Sequence, residues 1–255
     1  MMPFANLRLD FAYPWWLSYG HVPILAGSAV LLAIASMRKW PKWSLILLGL
    51  VVLWSIGGFV ICRFVFDING VPELPTENFL RAGTGRVLDL GAGTGRSSIM
   101  VLKARPGVTL VASDLFGESF DQHFGHSDTP QQRLLANLKA AGVDQRATIE
   151  TADMRKLPFP NASFDAIVSA YAMDHLNRNG IGQALSESAR VIKPDGEFLL
   201  ILVAKEPWVE FALPIMLHAN LHGPSWWIER LQQSGFQVLE HGTRPATLYL
   251  LSRKV

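Results

Sequence analysis

The stretch RVLDLGAGTGRSSIM, from Arg86 to Met100, decides the fold of this chain. It begins with the mostly apolar run Val87–Leu90, passes through glycines in the pattern G-x-G-x-G, and continues into residues that favour a helix. Glycine lacks a Cβ atom, so it permits a tight turn at the end of a strand and lets a ligand lie against the backbone. The stretch therefore predicts a strand, a ligand-binding loop and a helix, and the ligand is expected to resemble a nucleotide.

Asp89 lies just before the glycines and bears on which ligand the loop binds. A dinucleotide-binding loop, G-x-G-x-x-G, would have its third glycine one position later and a pyrophosphate at the helix N-terminus. A carboxylate at this position would repel a pyrophosphate, whereas it would suit the positively charged amino acid part of S-adenosylmethionine (SAM). The pattern therefore favours SAM over NAD.

Strand and helix patterns alternate along the rest of the chain. The predicted strands are Val87–Leu90, Val108–Ser113, Ala147–Thr151, Phe164–Ser169, Phe198–Val203, Phe236–Glu240 and Thr247–Leu251. The predicted helices are Arg96–Ala104, Gln131–Ala141, Ile181–Ile192 and Ser225–Gln233. This alternation predicts an α/β fold whose mostly parallel sheet is covered on both faces. The last two strands, joined by the short connection HGTRPA, are expected to pair antiparallel.

Two further acidic residues follow predicted strands, at the edge where ligands bind in such sheets. Asp114 ends the second strand, where a carboxylate can accept hydrogen bonds from both ribose hydroxyls. Asp153 follows the third strand, where it can accept a bond from an adenine amine while Met154 covers the ring. Each carboxylate could instead cap a turn, but their common position at strand ends favours ligand binding.

Four segments in this order carry a resemblance to a known family. They are VLDLGAGTG from Val87, Ser113-Asp114, ADMRKLPFPNASFDAIVSAYAMDHL from Ala152, and RVIKPDGEFLL from Arg190. Together they resemble class I SAM-dependent methyltransferases, especially the type 11 group that includes the ubiquinone and menaquinone methyltransferases. The resemblance covers the chain from Arg86 onward and implies a Rossmann-like seven-stranded sheet with SAM across its strand ends.

The resemblance also implies which residues bind the cofactor. Asp89 and the loop from Gly91 to Gly95 are expected to bind the methionine end, and Ala170 and Tyr171 are expected to close the site after the fourth strand. The whole expected set is Asp89, Gly91, Ala92, Gly93, Thr94, Gly95, Asp114, Leu115, Asp153, Met154 and Ala170.

The residues after the fourth strand are the candidates for catalysis. His175 could accept a proton from the acceptor, Asp174 could orient that histidine or bind the acceptor, and Tyr171 lies beside them. His175 could instead pack or cap a helix. No metal is expected, and the segment GESFDQHFGHSD, which contains His123 and His126, is interpreted as a polar lid rather than a metal site.

Composition excludes several classes of protein. The net charge is +2, with 23 basic and 21 acidic residues, so no strong positive field argues for nucleic acid as a partner. The one cysteine, Cys62, excludes an intrachain disulfide framework and a thiolate metal cluster.

The first third of the chain is far more apolar than the rest. Trp15–Ser36 and Ser44–Phe66 are each close to the roughly 20 residues that span a hydrocarbon core as a helix. They flank the turn MRKWPKW, whose tryptophans suit a membrane interface. We interpret the pair as a transmembrane helical hairpin. A signal peptide, two buried core helices and a shallow, non-spanning hairpin are the alternatives.

These observations divide the chain into a membrane-anchoring hairpin (residues 1–66), a linker (67–85) rich in Pro, Gly and Asn, and a methyltransferase domain (86–255). The basic residues of the turn, Arg38, Lys39 and Lys42, would place that turn in the cytoplasm and the domain outside it. SAM is made in the cytoplasm. We therefore expect an integral membrane protein whose catalytic domain is cytoplasmic, against the charge rule.

The aromatic insert after the fifth strand indicates the kind of acceptor. Trp208 and Phe211, with Met216, His218 and His222, could form an apolar pocket wall or could simply pack on the sheet or the hairpin. The sequence predicts methyl transfer from SAM to an O, N or S atom of a small hydrophobic or membrane-partitioned acceptor. Such an acceptor could be a quinone-like phenol, a lipid amine, or a small thiol or sulfide. The alternative is a non-catalytic SAM-binding membrane scaffold or sensor.

Overall fold

The computed structural model describes residues 9–67, 69–116, 129–212 and 221–255. These residues form two compact units. The sheet domain comprises residues 9–12, 69–116, 129–205 and 221–255, and the helical unit comprises residues 13–67 and 206–212. The helices are α1 Trp15–Tyr19, α2 His21–Met37, α3 Lys42–Val60, α4 Arg96–Ala104, α5 Pro130–Ala140, α6 Arg178–Val191, α7 Pro207–Ala212 and α8 Pro224–Gln233.

The sheet domain is built on a seven-stranded sheet with the order β3-β2-β1-β4-β5-β7-β6. Its strands are β1 Thr84–Leu90, β2 Gly107–Asp114, β3 Ala147–Thr151, β4 Phe164–Ala170, β5 Ile192–Val203, β6 Phe236–Arg244 and β7 Thr247–Lys254. Strands β1 to β5 are parallel, and β7 pairs antiparallel with both β5 and β6. The predicted Rossmann-like sheet and its antiparallel last pair are confirmed.

The core explains why these strands have long apolar runs. Leu88, Ile167 and Phe198, on three neighbouring strands, are fully buried. Strands covered by helices on both faces need apolar side chains in both directions, so they show continuous rather than alternating apolar sequence. The strand order reverses between β1 and β4, and that reversal marks the ligand-binding edge of such a sheet.

Several element boundaries differ from the prediction, and three of them have a clear local cause. β6 continues to Arg244, so the last two strands are joined by Pro245 and Ala246 alone, and Ala246 has a φ of 61° that suits a tight turn. β5 begins at Ile192, because the chain around Pro194 remains in the sheet beside an irregular register of β4. α6 begins at Arg178, where the Asn177 side chain accepts a hydrogen bond from the Gly180 N–H at 2.8 Å.

Residues 69–85, predicted as a linker, are part of the sheet domain. Phe79 is fully buried, and its carbonyl accepts a hydrogen bond from Arg105 Nε at 2.9 Å. The Leu80 N–H donates to Glu197 Oε2 at 2.6 Å. The segment has turn-rich composition and no regular helix or strand before Thr84, yet its apolar side chains complete the core.

Residues 9–12 also belong to the sheet domain, although they precede the apolar helices in the chain. Phe11 is fully buried, and its carbonyl accepts a hydrogen bond from Thr94 Oγ1 at 2.9 Å. Asp10 forms an ion pair with Arg133 and exchanges hydrogen bonds with Asn137. The predicted boundary of the sheet domain therefore misses this short N-terminal segment.

The helical unit contains the apolar first third of the chain. α2 and α3 pack against each other, and α3 continues as the π-helical turn Ile61–Val65. Among the described residues, one helix, Lys42–Val65, is long and apolar enough to cross a membrane, and 17% of its most apolar window is buried. α2, at 17 residues, is shorter than that. The two-helix membrane hairpin therefore stays a prediction.

The helical unit also contains α7, which follows β5 in the chain. The indole N–H of Trp54 donates to the Phe211 carbonyl at 2.8 Å. Phe66 and Trp208 are in ring contact, with centroids 5.9 Å apart. Trp208 and Phe211 of the predicted aromatic insert thus pack with the apolar helices, whereas His222 belongs to the sheet domain. Met216 and His218 lie outside the described residues.

We expect Phe79→Ala to lower the free energy of unfolding by about 3–5 kcal/mol, because it removes a fully buried ring from the core. Leu239→Ala is the control, since Leu239 on β6 is 44% exposed, and its cost should be within about 0.5 kcal/mol. Urea unfolding followed by circular dichroism measures both. Equal stability of Phe79→Ala and the wild type would show that residues 69–85 act only as a linker.

Candidate functional site

The candidate site lies at the carboxyl ends of β1, β2 and β4, where the loop Gly91–Gly95 leaves the sheet. The N–H groups of Gly91 and Ala92 both donate to the Ser113 carbonyl, at 2.8 and 3.1 Å. The Gly93 N–H donates to Asp114 Oδ2 at 2.9 Å. The end of β2 therefore fixes the loop that follows β1.

Two of the glycines are required by their surroundings. Gly91 has a φ of +76°, and a Cβ atom there would come within 2.2 Å of the Ala172 Cβ and 3.2 Å of the Met154 Cε. Gly95 has a φ of +97°, and a Cβ atom there would lie 2.5 Å from Leu134 Cδ1. Any larger residue would combine backbone strain with a steric clash, so the bare loop predicted from the sequence is a physical necessity.

Asp89 is a fully buried carboxylate directly beneath this loop. Its Oδ2 accepts hydrogen bonds from the hydroxyls of Ser97 and Ser98, at 2.7 and 2.6 Å. Its Oδ1 is buried and has no hydrogen-bond partner among the described residues. Burial raises the pKa of Asp89 to about 6, although the two serine hydroxyls act in the opposite direction. Among the described residues, the Oδ1 atom of this carboxylate therefore has no hydrogen-bond donor to neutralise it.

Asp114 lies beside the loop with its carboxylate partly exposed. Its Oδ2 accepts the Gly93 N–H, and its Oδ1 accepts the Phe116 N–H at 3.3 Å. The next side chain, Leu115, is 51% exposed. The predicted ribose-binding position thus contains an accessible carboxylate that also orders the loop, next to an apolar side chain.

Asp153 and Met154 follow β3, as predicted for the adenine end. The Arg155 guanidinium donates to both carboxylate oxygens of Asp153, with the shortest bond at 2.6 Å from Nη2. This pairing lowers the pKa of Asp153. Asp153 is therefore ionised and oriented by its neighbour, and the methyl end of Met154 lies close to Gly91.

Ala170 and Tyr171 stand at the end of β4. Tyr171 has a φ of 52°, which is unusual for a residue with a side chain. Its hydroxyl shares a 2.7 Å hydrogen bond with Thr247 Oγ1, and the Arg96 guanidinium lies 6.0 Å from its ring centroid. Burial raises the pKa of this phenol, so Tyr171 remains protonated and serves to position the loop after β4. The catalytic role expected for Tyr171 stays a prediction.

Asp174 and His175 form part of the 3₁₀ turn Met173–His175, just after β4. Burial raises the pKa of the Asp174 carboxyl, and the neighbouring His175 acts in the opposite direction. Asp174 Oδ1 is buried without a hydrogen-bond partner among the described residues, whereas the His175 side chain is exposed. The two predicted residues are therefore adjacent, with the acid inside and the imidazole facing outward.

The hydrogen bonds of Thr94 fix the end of the loop, and the sequence did not predict them. Asn137 on α5 donates to the Thr94 carbonyl at 2.9 Å, while the Thr94 hydroxyl donates to Phe11. No local pattern links residues so distant in sequence. Ser97 and Ser98, in contrast, could have been found, because they occupy the first turn of α4 directly above Asp89.

The donor set fits SAM on two observations of this structure. The unpaired Asp89 Oδ1 suits an ammonium group, and Asp114 provides an accessible acceptor for hydroxyls. Asp89, the loop residues and Asp114 would bind the cofactor, with Leu115, Asp153, Met154 and Ala170 at its adenine end. These assignments of individual residues remain predictions.

Within the ranges that the structure covers, there is no cluster of three or more His, Cys, Asp or Glu residues that could bind a metal ion. The segment with His123 and His126, interpreted above as a polar lid, lies outside those ranges.

Comparison with known proteins supports the same interpretation. Residues 87–196 match the family model described as a methyltransferase domain. The chain is 34% identical to the demethylmenaquinone methyltransferase of Deinococcus radiodurans over 46% of this chain and 42% of that protein. It is 30% identical to the ubiquinone/menaquinone biosynthesis C-methyltransferase of Azotobacter vinelandii over 62% of this chain and 51% of that protein. The chain thus spans about half the length of these curated relatives.

A solved structure shows the fold. The SAM-dependent methyltransferase of Methanosarcina mazei superposes with a TM-score of 0.58 at 15% sequence identity, covering 72% of this chain and 99% of that one. At this identity the likeness establishes the fold alone. Residues 87–196 therefore match a methyltransferase domain within a sheet of the methyltransferase fold, and these findings support S-adenosylmethionine as the cofactor.

Proposed function

We propose that this protein is a membrane-anchored enzyme that transfers a methyl group from SAM to a small hydrophobic acceptor that partitions into the bilayer. The observation that carries the proposal is the position of residues 206–212. They follow β5 of the methyltransferase domain in the chain, yet they pack within the helical unit.

The surface of α3 supports the membrane part of the proposal. Ile46, Leu50 and Leu53 are 64%, 58% and 66% exposed. An apolar surface of this extent is unfavourable in water and marks contact with a membrane or another protein. A core helix of a soluble protein would be mostly buried, whereas this one is not. Lipid is therefore the environment that suits α3, and we place the catalytic domain on the cytoplasmic side because SAM is cytoplasmic.

The attachment of α7 to these helices supports the acceptor class. The indole N–H of Trp54 donates to the Phe211 carbonyl. This donor is a polar group in an apolar surrounding, where a satisfied hydrogen bond matters most. The segment after β5 thereby belongs to the part of the chain that we propose lies in lipid, which favours an acceptor that also partitions there.

The names of two relatives favour one class of acceptor over the others. Two of them are named as demethylmenaquinone and ubiquinone/menaquinone methyltransferases. A ring of the phenol or quinol type, carried by a hydrophobic molecule, is the acceptor that agrees with those names and with the apolar helical unit. Lipid amines and small thiols form the rest of the test panel.

SAM supplies the methyl group when it is bound. The residues of the chain have to position the acceptor and remove its proton if it carries one. The exposed His175 imidazole, directly after β4, can accept that proton. The adjacent Asp174 can orient that imidazole or bind the acceptor.

The first test concerns Asp89. Its pKa of about 6 lies above the usual 3.8, so between pH 4 and pH 6 the folded protein keeps a proton that the unfolded chain has lost. Stability from this group is therefore lost as the pH rises through that range, by on the order of 3 kcal/mol for two pKa units. Asp89→Asn has no titrating group at this position, so it does not lose this stability. Raising the pH from 4.5 to 7 should therefore lower the free energy of unfolding of the wild type more than that of Asp89→Asn.

Urea unfolding at the two pH values measures that shift in the absence of SAM. Calorimetry should show that the wild type binds SAM more weakly at pH 5 than at pH 7, because the protonated carboxyl cannot pair with the ammonium group. Asp89→Asn should show less of this dependence. A pH-independent difference in stability between the two proteins would contradict the burial of an unpaired charge.

The second test concerns the attachment of α7. Trp54→Phe keeps an aromatic ring but removes the N–H that binds the Phe211 carbonyl. We expect release of S-adenosylhomocysteine, with a quinol embedded in nanodiscs, to fall about fivefold for the loss of about 1 kcal/mol, while SAM affinity is unchanged. Trp43→Phe is the matched control, since Trp43 is 68% exposed. If quinols, phospholipid amines and thiols all fail to release product from the wild type, the protein is a SAM-binding scaffold instead.

The third test concerns His175. His175→Ala should lower turnover about a hundredfold or more, the usual contribution of a positioned base, and leave SAM affinity within about twofold. His241→Ala, which changes another exposed histidine in the same domain, should leave both quantities unchanged. Full turnover in His175→Ala would mean that positioning alone supports the reaction.

A further inference from the structure

A cleft of about 480 Å³ opens in the sheet domain, between α6, α8 and the turn after β3. Arg155 from the turn, Arg178 from the start of α6 and Arg230 from α8 line it. It involves none of the residues that we assign to SAM or to proton transfer.

The charges in this cleft do not cancel. Arg155 is paired with Asp153, and the one acid in the lining, Glu187, is bound by Arg190 at 2.7 Å and by the Leu157 N–H at 2.7 Å. Arg178 and Arg230 have no ion pair with any residue that the structure describes. Two positive charges therefore remain.

Neighbouring residues do not remove this excess. On α8, Glu229 accepts a hydrogen bond from Gln233 and lies outside the lining. The segment before His222, LPIMLHAN from Leu213, contains no acid in its sequence. Burial lowers the pKa of His222, and the positive charges of Arg178, Lys205 and Arg230 lower it further. Since the lysine adds to the arginines, the local potential is positive.

Arg230 is oriented toward this role. Its guanidinium lies 5.1 Å from the Trp226 ring centroid, and Trp226 stacks on His222 with centroids 3.9 Å apart. Its Nη1 donates to Gln233 at 3.3 Å, whereas its Nε is buried without a hydrogen-bond partner among the described residues. The buried Nε is held among these neighbours, and the charged end of the side chain lines the cleft.

Neutral donors accompany the arginines. Asn179, Gln183 and Ser186 are spaced by four and three residues along α6, so they lie on one helical face, and all three line the cleft. Donors from α6 and α8 thus converge from two helices. Guanidinium groups bind both carboxylates and phosphates through two parallel hydrogen bonds. A carboxylate offers two oxygens in one plane, whereas a tetrahedral phosphate offers oxygens in several directions, which suits donors that come from two helices.

We propose that this cleft, lined by Arg155, Arg178 and Arg230, binds a phosphate group, either of an anionic phospholipid headgroup or of phosphate in solution. The site is separate from methyl transfer, so its failure would leave the proposed function unaffected.

The test uses the full-length protein in a neutral maltoside detergent and isothermal titration calorimetry. The probes are inorganic phosphate, dihexanoyl phosphatidic acid below its micellar concentration, dihexanoyl phosphatidylcholine and acetate. We expect binding of phosphatidic acid, of inorganic phosphate or of both, with acetate weaker than either. Binding of phosphatidic acid alone identifies the lipid as the source, whereas equal binding of inorganic phosphate identifies the soluble anion.

Arg178→Gln and Arg230→Gln should each weaken this binding about tenfold or more, because each removes a charged hydrogen bond. Arg81→Gln, at an exposed arginine elsewhere in the domain, should leave it unchanged. Arg178→Lys and Arg230→Lys retain the charge without the planar fork and should bind with intermediate affinity, which separates recognition from loss of folding. Equal affinity of the wild type and the Arg178→Gln/Arg230→Gln double variant, or acetate binding as tightly as phosphate, would overturn the proposal.

Discussion

The site depends on the close approach of β1 and β4 where the two strands end. Ala172, just beyond β4, comes so near to Gly91 that no Cβ atom could stand between them. The same approach brings Met154 toward the loop from the end of β3. Three strand ends therefore meet at one loop, and its glycines leave no side chain at the points of closest contact. Without that approach the loop would be an ordinary turn, and the acidic residues at the neighbouring strand ends would not surround a common binding site.

The position of Asp89 beneath this loop buries its carboxylate. The carboxylate is removed from water, and only one of its oxygens is satisfied, by Ser97 and Ser98. Burying half-satisfied polar groups destabilises a fold, and such groups concentrate at sites whose missing partner is a ligand. The strain therefore lies at the position where a cationic ligand would relieve it. The serines on α4 fix the orientation of the carboxylate, so that Oδ1 remains the free atom.

The sequence predicted the sheet because its signals are local. Each strand is a short apolar run, each helix has its own periodicity, and the glycines mark the turn. The mostly parallel sheet, its antiparallel last pair and the positions of Asp89, Asp114 and Asp153 at strand ends therefore followed. The contacts of Phe11 with Thr94 and of Leu80 with Glu197 did not follow, since they join residues far apart in sequence through irregular segments. Such segments resemble linkers in composition, and only the packed structure shows that Phe79 and Phe11 are buried. The same reason hid the arginine cleft, whose members come from a turn and two helices.

The assignment of α7 to the helical unit is the feature that the methyltransferase fold alone does not explain. In water, an exposed indole can exchange a protein acceptor for a solvent molecule at little net cost, so the Trp54 bond to Phe211 would contribute about 1 kcal/mol. In the hydrocarbon environment that we propose, no water competes, and an unpaired donor there costs several kcal/mol. The environment that makes the apolar faces of α3 favourable would therefore also strengthen the attachment of the segment following β5. Under this proposal, anchoring and acceptor supply become one physical problem, because the proposed lipid environment of these helices is also the phase from which a hydrophobic acceptor would come.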